Sequence, residues 1–159
     1  MTIGLDDVVA AETSLSHVDG EAGRLIIAGH DLEELAGHVD FEDVTAMLWD
    51  GLVPNAAADP QALLGEARRR AYARLAPLAP QLAGLTPVEG MRLLLASLPD
   101  AEEDHAALAV GAAGVAAAMA VRGAQGLAPV APDPSAGHAA DILHTVSYTH
   151  LTLPTNREV

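Results

Sequence analysis

A mostly α-helical fold with a short N-terminal β-hairpin is what this sequence predicts, on three observations. After residue 30, apolar residues recur at three- and four-residue intervals over most of the chain. Half of the 159 residues are hydrophobic, yet there are only one Phe, one Trp and two Tyr, and alanine dominates, which favours helices packed closely through small side chains. Near the N-terminus, by contrast, residues 8–29 break helical periodicity around an Asp19-Gly20 pair. The length suffices for one core, burying roughly two-thirds of the surface of the unfolded chain.

The elements follow in order. Asp-Gly tolerates positive φ at both turn residues, so residues 13–18 and 24–28 are expected to pair as a hairpin that leans on the helices. Asp31 precedes Leu32, Leu35, Ala36 and Val39, which share one face of a short helix. Asp40 is placed as the N-cap of a second helix through Phe41, Val44, Met47 and Leu48, stopped by Asp50-Gly51. After a loop over 55–59, Pro60 opens a helix through Leu64, Ala67, Ala71 and Leu75, and Pro77 and Pro80 end it. Thr86-Pro87 caps and starts the next, with Met91, Leu94, Leu95 and Leu98 along one side. A long helix is expected to begin within 100–104 and run to Arg122. Its Gly111, Ala112, Gly114, Ala116, Ala117 and Ala118 permit close backbone approach, which suits an interior helix or a subunit interface. A Gly- and Pro-rich loop then leads to Ser135, taken as the cap of a last helix over 136–144.

Composition narrows the function classes. All eight basic residues are arginine, against 22 Asp and Glu, giving a net charge of −14 that argues against nucleic acid as a partner. The cluster Arg68, Arg69, Arg70 and Arg74 is expected to be a solvated helix face. Without cysteine there are no disulfides or thiolate metal sites, which fits a cytoplasmic location. No secretory leader is read at the N-terminus, and the apolar run at 106–121, mostly Ala and Gly, is not read as a membrane span. Of the seven histidines, His30 and His38 with Asp31 and Asp40 form the best cluster. Eight residues of spacing is two helical turns, too far for one ion, so no metal site is expected. Residues 19–29 lack the Gly-Lys-Ser/Thr ending of a phosphate loop, and no nucleophile elbow is present.

The stretch from Gly4 to Pro54 resembles the N-terminal signature of citrate and 2-methylcitrate synthases. The resemblance is carried by Asp19-Gly20, Gly23-Arg24-Leu25, Gly29-His30-Asp31, Leu35-Ala36, Phe41-Glu42-Asp43-Val44, Leu48, Gly51 and Pro54, in that order. Residues 86–98 and 129–143 are similar to later segments of the family. Departures are Ala28-Gly29-His30, where the family often has Arg-Gly-Tyr, Thr86-Pro87-Val88, where it often has His-Pro-Met, and the alanine-rich helix, which lacks the family's arginine-leucine-proline entry.

The resemblance implies a homodimeric, mostly helical enzyme that condenses acetyl-CoA, or propionyl-CoA in the methylcitrate branch, with oxaloacetate, without a cofactor. In such chemistry an aspartate takes a proton from the methyl carbon while a histidine stabilises the enol. A second histidine polarises the ketone, and arginines clamp the dicarboxylate. These residues lie later in the family's chain than the equivalent of Leu143, so no catalytic, cofactor-binding or metal residue is expected here. Residues 1–144 are therefore read as the incomplete N-terminal part of the family's large domain, inactive alone. Residues 1–144 hold four threonines and more than thirty alanines, whereas 145–159 hold four threonines and no alanine. The tail 146–159 resembles translated sequencing-adapter read-through, so 145–159 is expected to be artefactual and disordered. A C-terminal strand through Val146, Tyr148, Leu151 and Leu153 is the other reading. From a different class, the chain could be a non-enzymatic helical interaction module that docks through its alanine-rich helix.

Overall fold

The computed structural model describes residues 12–53, 58–100 and 105–147. A three-stranded antiparallel sheet opens the chain, with β1 (Ser16–Asp19), β2 (Arg24–Ile27) and β3 (His30–Asp31) in sequence order. Six α-helices follow among the described residues: α1 (Leu32–Leu35), α2 (Phe41–Trp49), α3 (Pro60–Leu75), α4 (Pro87–Ala96), α5 (His105–Ala124) and α6 (His138–Ser147). The predicted class, predominantly helical with a small N-terminal ribbon, is the observed one.

The first hairpin pairs Ser16 with Ile27 and Asp19 with Arg24, around the Asp-Gly pair. Asp19 closes the turn by accepting from the amides of Glu21 and Ala22. The third strand was not expected from the sequence. Ile27 pairs with His30, so Ala28-Gly29 is a two-residue turn with φ of 49° and 86°. Both positive angles are those of a type I′ turn, which favours Asn-Gly. Alanine carries a steric cost in that region, so Ala28→Asn is expected to raise the midpoint of thermal unfolding, stabilising by about 0.5–1 kcal/mol. An unchanged or lower midpoint would refute this reading of the turn.

Helix starts are largely local. Asp59 accepts from the Ala62 amide at 2.9 Å ahead of Pro60. Thr86 and Glu89 form a capping box, each side chain bonding the other's backbone amide. Asp40 stands before α2 in extended backbone, but its side chain makes no capping bond. After Leu75, where α3 ends as the prolines predict, the chain tightens into a 3-10 segment over Ala76–Leu82. Of the expected start of α5 within 100–104, residues 101–104 lie outside the described residues, as do residues 55–57 of the loop expected over 55–59.

Two expectations at the C-terminal end are corrected. The last helix begins at His138 instead of Ala136, and Ser135 does not cap it. The Ser135 amide and hydroxyl both donate to Asp133 Oδ1, at 2.9 and 2.6 Å, forming a local turn two residues too early. Helix α6 also continues through Thr145, Val146 and Ser147, so Val146 is helical, not extended, and Thr145 is buried. The rest of the expected tail, residues 148–159, lies outside the described residues.

The core forms around α5, which packs against α3, α4 and α6. Leu75, Leu82, Leu94 and Met119 fill it, while Ala112 and Ala116 are fully buried and keep the helices close. Each alanine removes little area from water, about 0.8 kcal/mol per carbon, so close approach must supply the remainder as contact. By length and composition α5 is apolar enough to cross a bilayer, but more than half of it is buried against its neighbours.

Candidate functional site

The chemistry-bearing side chains that the fold gathers are Arg68, Asp141, His138 and Glu42, joining α3, α6 and α2. Arg68 lies four residues after Leu64 and three before Ala71, within the apolar stripe of α3 that ends at Leu75. Its side chain therefore points inward and is 0 % exposed, with Asp141 beside it at 1 %. This corrects the expected solvated arginine face. Arg69 does sit at the surface, paired with Glu66 at 2.6 Å, and Arg74 is exposed, but Arg68 is interior.

Each nitrogen of the Arg68 guanidinium has a partner. Nε donates to Asp141 Oδ2 at 2.7 Å, and Nη1 meets His138 Nδ1 at 3.1 Å. Nη2 donates to the carbonyls of Asp133 (3.2 Å) and Ala136 (2.6 Å), gripping the strap of residues 133–137 that precedes α6. The second Asp141 oxygen accepts from the Asp133 amide at 2.8 Å. Arginine has no acceptor, so His138 Nδ1 must accept, and the neutral ring carries its proton on Nε2.

Glu42 supplies what Ser135 does not. Its Oε1 accepts from the His138 amide, so the first turn of α6 is capped by a carboxylate 96 residues away in sequence. Phe41, beside Glu42 on α2, stacks on the His138 ring with centroids 4.7 Å apart and planes within 10°. Burial, followed by the Arg68 charge, holds the His138 pKa below its ordinary value of 6.5, with Glu42 and Asp141 opposing. Among the described residues no buried side-chain nitrogen or oxygen lacks a hydrogen-bond partner. A network of this kind pins the elements that carry it together.

A cavity of about 600 Å³ opens beside this cluster, between the first turns of α2, α3 and α6. Asp40, Glu42, Asp43 and Asp59 line it, with Gln61 and His138. Four carboxyl groups and no arginine give it the wrong sign for a dicarboxylate or a phosphorylated carrier. The histidine cluster weighed from the sequence is not assembled: His30 and His38 are exposed, and Asp31 is engaged by Arg24 at 2.8 Å. Among the described residues no group of three His, Asp or Glu is placed to hold a metal ion.

A small antiparallel ribbon ahead of helices wrapped on one small-residue helix, with a buried polar clasp joining α3 to α6, defines a mostly helical protein. The model of the family described as citrate synthase, C-terminal domain, matches residues 4–158, and the chain belongs to the citrate synthase family. Over 51 residues, 32 % of this chain and 14 % of the relative, it is 45 % identical to a citrate synthase of Haloferax volcanii. Over 155 residues, 89 % of this chain and 39 % of the relative, it is 30 % identical to a 2-methylcitrate synthase of Mycobacterium tuberculosis. Crystal structures of citrate synthases from Thermotoga maritima and Pyrobaculum aerophilum both superpose with a TM-score of 0.71. The first is 22 % identical and covers 92 % of this chain and 41 % of that one. The second is 24 % identical and covers 91 % and 42 %. At these identities the two structures establish the fold. The chain spans less than half the length of each of these relatives.

Proposed function

We propose that this chain is the scaffold portion of an enzyme that joins acetyl-CoA to oxaloacetate and, with water, yields citrate and free CoA, and that the 159 residues alone do not turn over. The observation that carries this is the family match over residues 4–158 in a chain spanning 39 % of the 2-methylcitrate synthase that aligns with most of it. The reaction needs a general base beside a carbon acid, hydrogen-bond donors for the enol and cations for two carboxylates. The buried Arg68 is already committed to Asp141, His138 and two carbonyls, and the neighbouring cavity is acidic. The contribution of this portion is mechanical: it fixes the ribbon, α2, α3 and α6 relative to α5.

The alignment with a protein named 2-methylcitrate synthase covers 89 % of this chain and favours a second reading, with propionyl-CoA as the acyl donor. The complete protein, on either reading, is taken to be a cytoplasmic homodimer without nucleic-acid or membrane partners, in keeping with its lack of cysteine and its charge of −14. The interaction-module reading has less support, because the small-residue faces of α5 are covered by α3, α4 and α6.

Two measurements test the proposal. Purified chain given oxaloacetate with acetyl-CoA, and separately with propionyl-CoA, should release no CoA thiol above the blank, and measurable turnover would show that the catalytic set lies within it. Reading the source gene past the codon for His144 should reveal family-like sequence with two further histidines and an aspartate. An in-frame stop there would favour the module.

A further inference from the structure

His138 is placed where a second proton cannot be accommodated without moving something. His138 is 5 % exposed, with one face of its ring against Phe41 and the Nε2 edge toward Gly114 of α5. Three elements present charge to it: α3 through Arg68, α2 through Glu42, and α6 itself through Asp141, while α5 offers only the glycine, and Asp40, Asp43 and Asp59 lie along the cavity that His138 also lines. In the strap, the Asp133 carboxylate is turned to Ser135. Neither carboxylate beside the ring is idle, since Asp141 takes the Arg68 Nε–H and Glu42 takes the His138 amide.

Protonation at Nδ1 would set donor against donor and cation against cation across the present 3.1 Å contact with Arg68. His138 is also the first residue of α6, where the aligned peptide dipoles disfavour positive charge. Arg68 grips the strap through two carbonyls, so a displaced guanidinium loosens residues 133–137 together with the start of α6.

We propose that His138 is a proton-sensitive latch: its neutral ring closes the clasp that holds the 133–137 strap and the start of α6 on α3, and acidification below neutrality releases both. The sign follows from the unfolded chain binding this proton at higher pH than the folded one. The stabilisation is complete above the ordinary histidine pKa of 6.5 and falls as pH drops from there through the lower folded value. Most carboxylates stay ionised over that range, which separates the latch from acid denaturation. The latch is independent of the proposed reaction.

Hydrogen–deuterium exchange of the full 159-residue chain at about pH 7.5 and 5.5, corrected for intrinsic exchange, reads the latch directly. Peptides from 133–147 should lose protection relative to α4, by up to about tenfold per pH unit crossed. In His138→Gln the amide oxygen can accept from Arg68 at either pH, and the response should be flat. An equal response in that variant, no response in the wild type, or a segment unprotected at both pH values would each overturn the proposal. Imidazole nitrogen NMR of the wild type gives a reading without substitution. His138 should be the Nε2–H tautomer and titrate below the ordinary histidine value of 6.5, and an Nδ1–H ring or a midpoint at or above that value would overturn it.

Discussion

Arg68→Ala is expected to destabilise the chain by about 3–5 kcal/mol, the range for removing one partner of a buried ion pair. The variant leaves Asp141 at 1 % exposure without its cation, and leaves two strap carbonyls and His138 Nδ1 without their donor. A loss of that size takes a large share of the 5–15 kcal/mol typical of a whole domain. Arg68→Lys should recover only part, since one ammonium cannot reproduce a planar fork that reaches a carboxylate, an imidazole and two carbonyls together. Arg68→Met with Asp141→Leu should be less damaging than Arg68→Ala, because no buried charge is stranded. Urea titrations compare the variants through their midpoints at constant m-value. A shift below about 1 kcal/mol for Arg68→Ala, the ordinary surface range, would sink the view that this pair clasps α3 to α6.

That arginine also marks how far the sequence could be read. Features set by a few neighbouring residues were legible: the Asp19-Gly20 hairpin, the Thr86 cap, Pro60 at the head of α3, and the small-residue face of α5. The second turn was not, because Ala28-Gly29 lacks the chemistry that normally announces two positive φ angles, and it shows only in the pairing of β2 with β3. Arg68 was hidden by its charge, although its place in the 64–68–71–75 stripe was a readable signal that it faces inward. Glu42 gave no signal, since a carboxylate on α2 that caps a helix 96 residues later follows only from three-dimensional packing. Ser135 shows the converse: a good capping residue was captured by a closer acceptor, Asp133. The sequence expectation that residues 1–144 carry no reaction centre stands as a proposal that assay can test.

The second large effect concerns glycines whose replacement by alanine should reverse the usual sign. In an open helix, Gly→Ala stabilises by roughly 1 kcal/mol through lower backbone entropy and better propensity. A methyl at Gly65 of α3, however, would land on the carbonyl oxygen of Pro134. At Gly111 of α5 it would lie 2.8 Å from the Ala67 carbonyl carbon and from the Arg68 amide nitrogen. Both obstacles are main chain, which cannot change rotamer to make room. At Gly65 the strap must lift, and the same strap is held by Arg68 through the carbonyls of Asp133 and Ala136. Overpacking and lost hydrogen bonds therefore add, and Gly65→Ala is expected to cost about 2–4 kcal/mol, with Gly111→Ala at about 1–3. Gly90 of α4 is the milder case: its nearest atoms are Ala120 Cβ at 3.1 Å and Leu82 Cδ2 at 3.2 Å, contacts that a few tenths of an ångström would relieve, by rotation at Leu82 and by a small helix shift at Ala120. Gly90→Ala should fall within about 1 kcal/mol of the wild type in either direction. Urea midpoints for the three variants should rank Gly65→Ala as the most damaging and Gly90→Ala as the least. If Gly65→Ala and Gly111→Ala match or exceed wild-type stability, the close backbone contacts that compensate for the small side chains of α5 are not what holds this fold together.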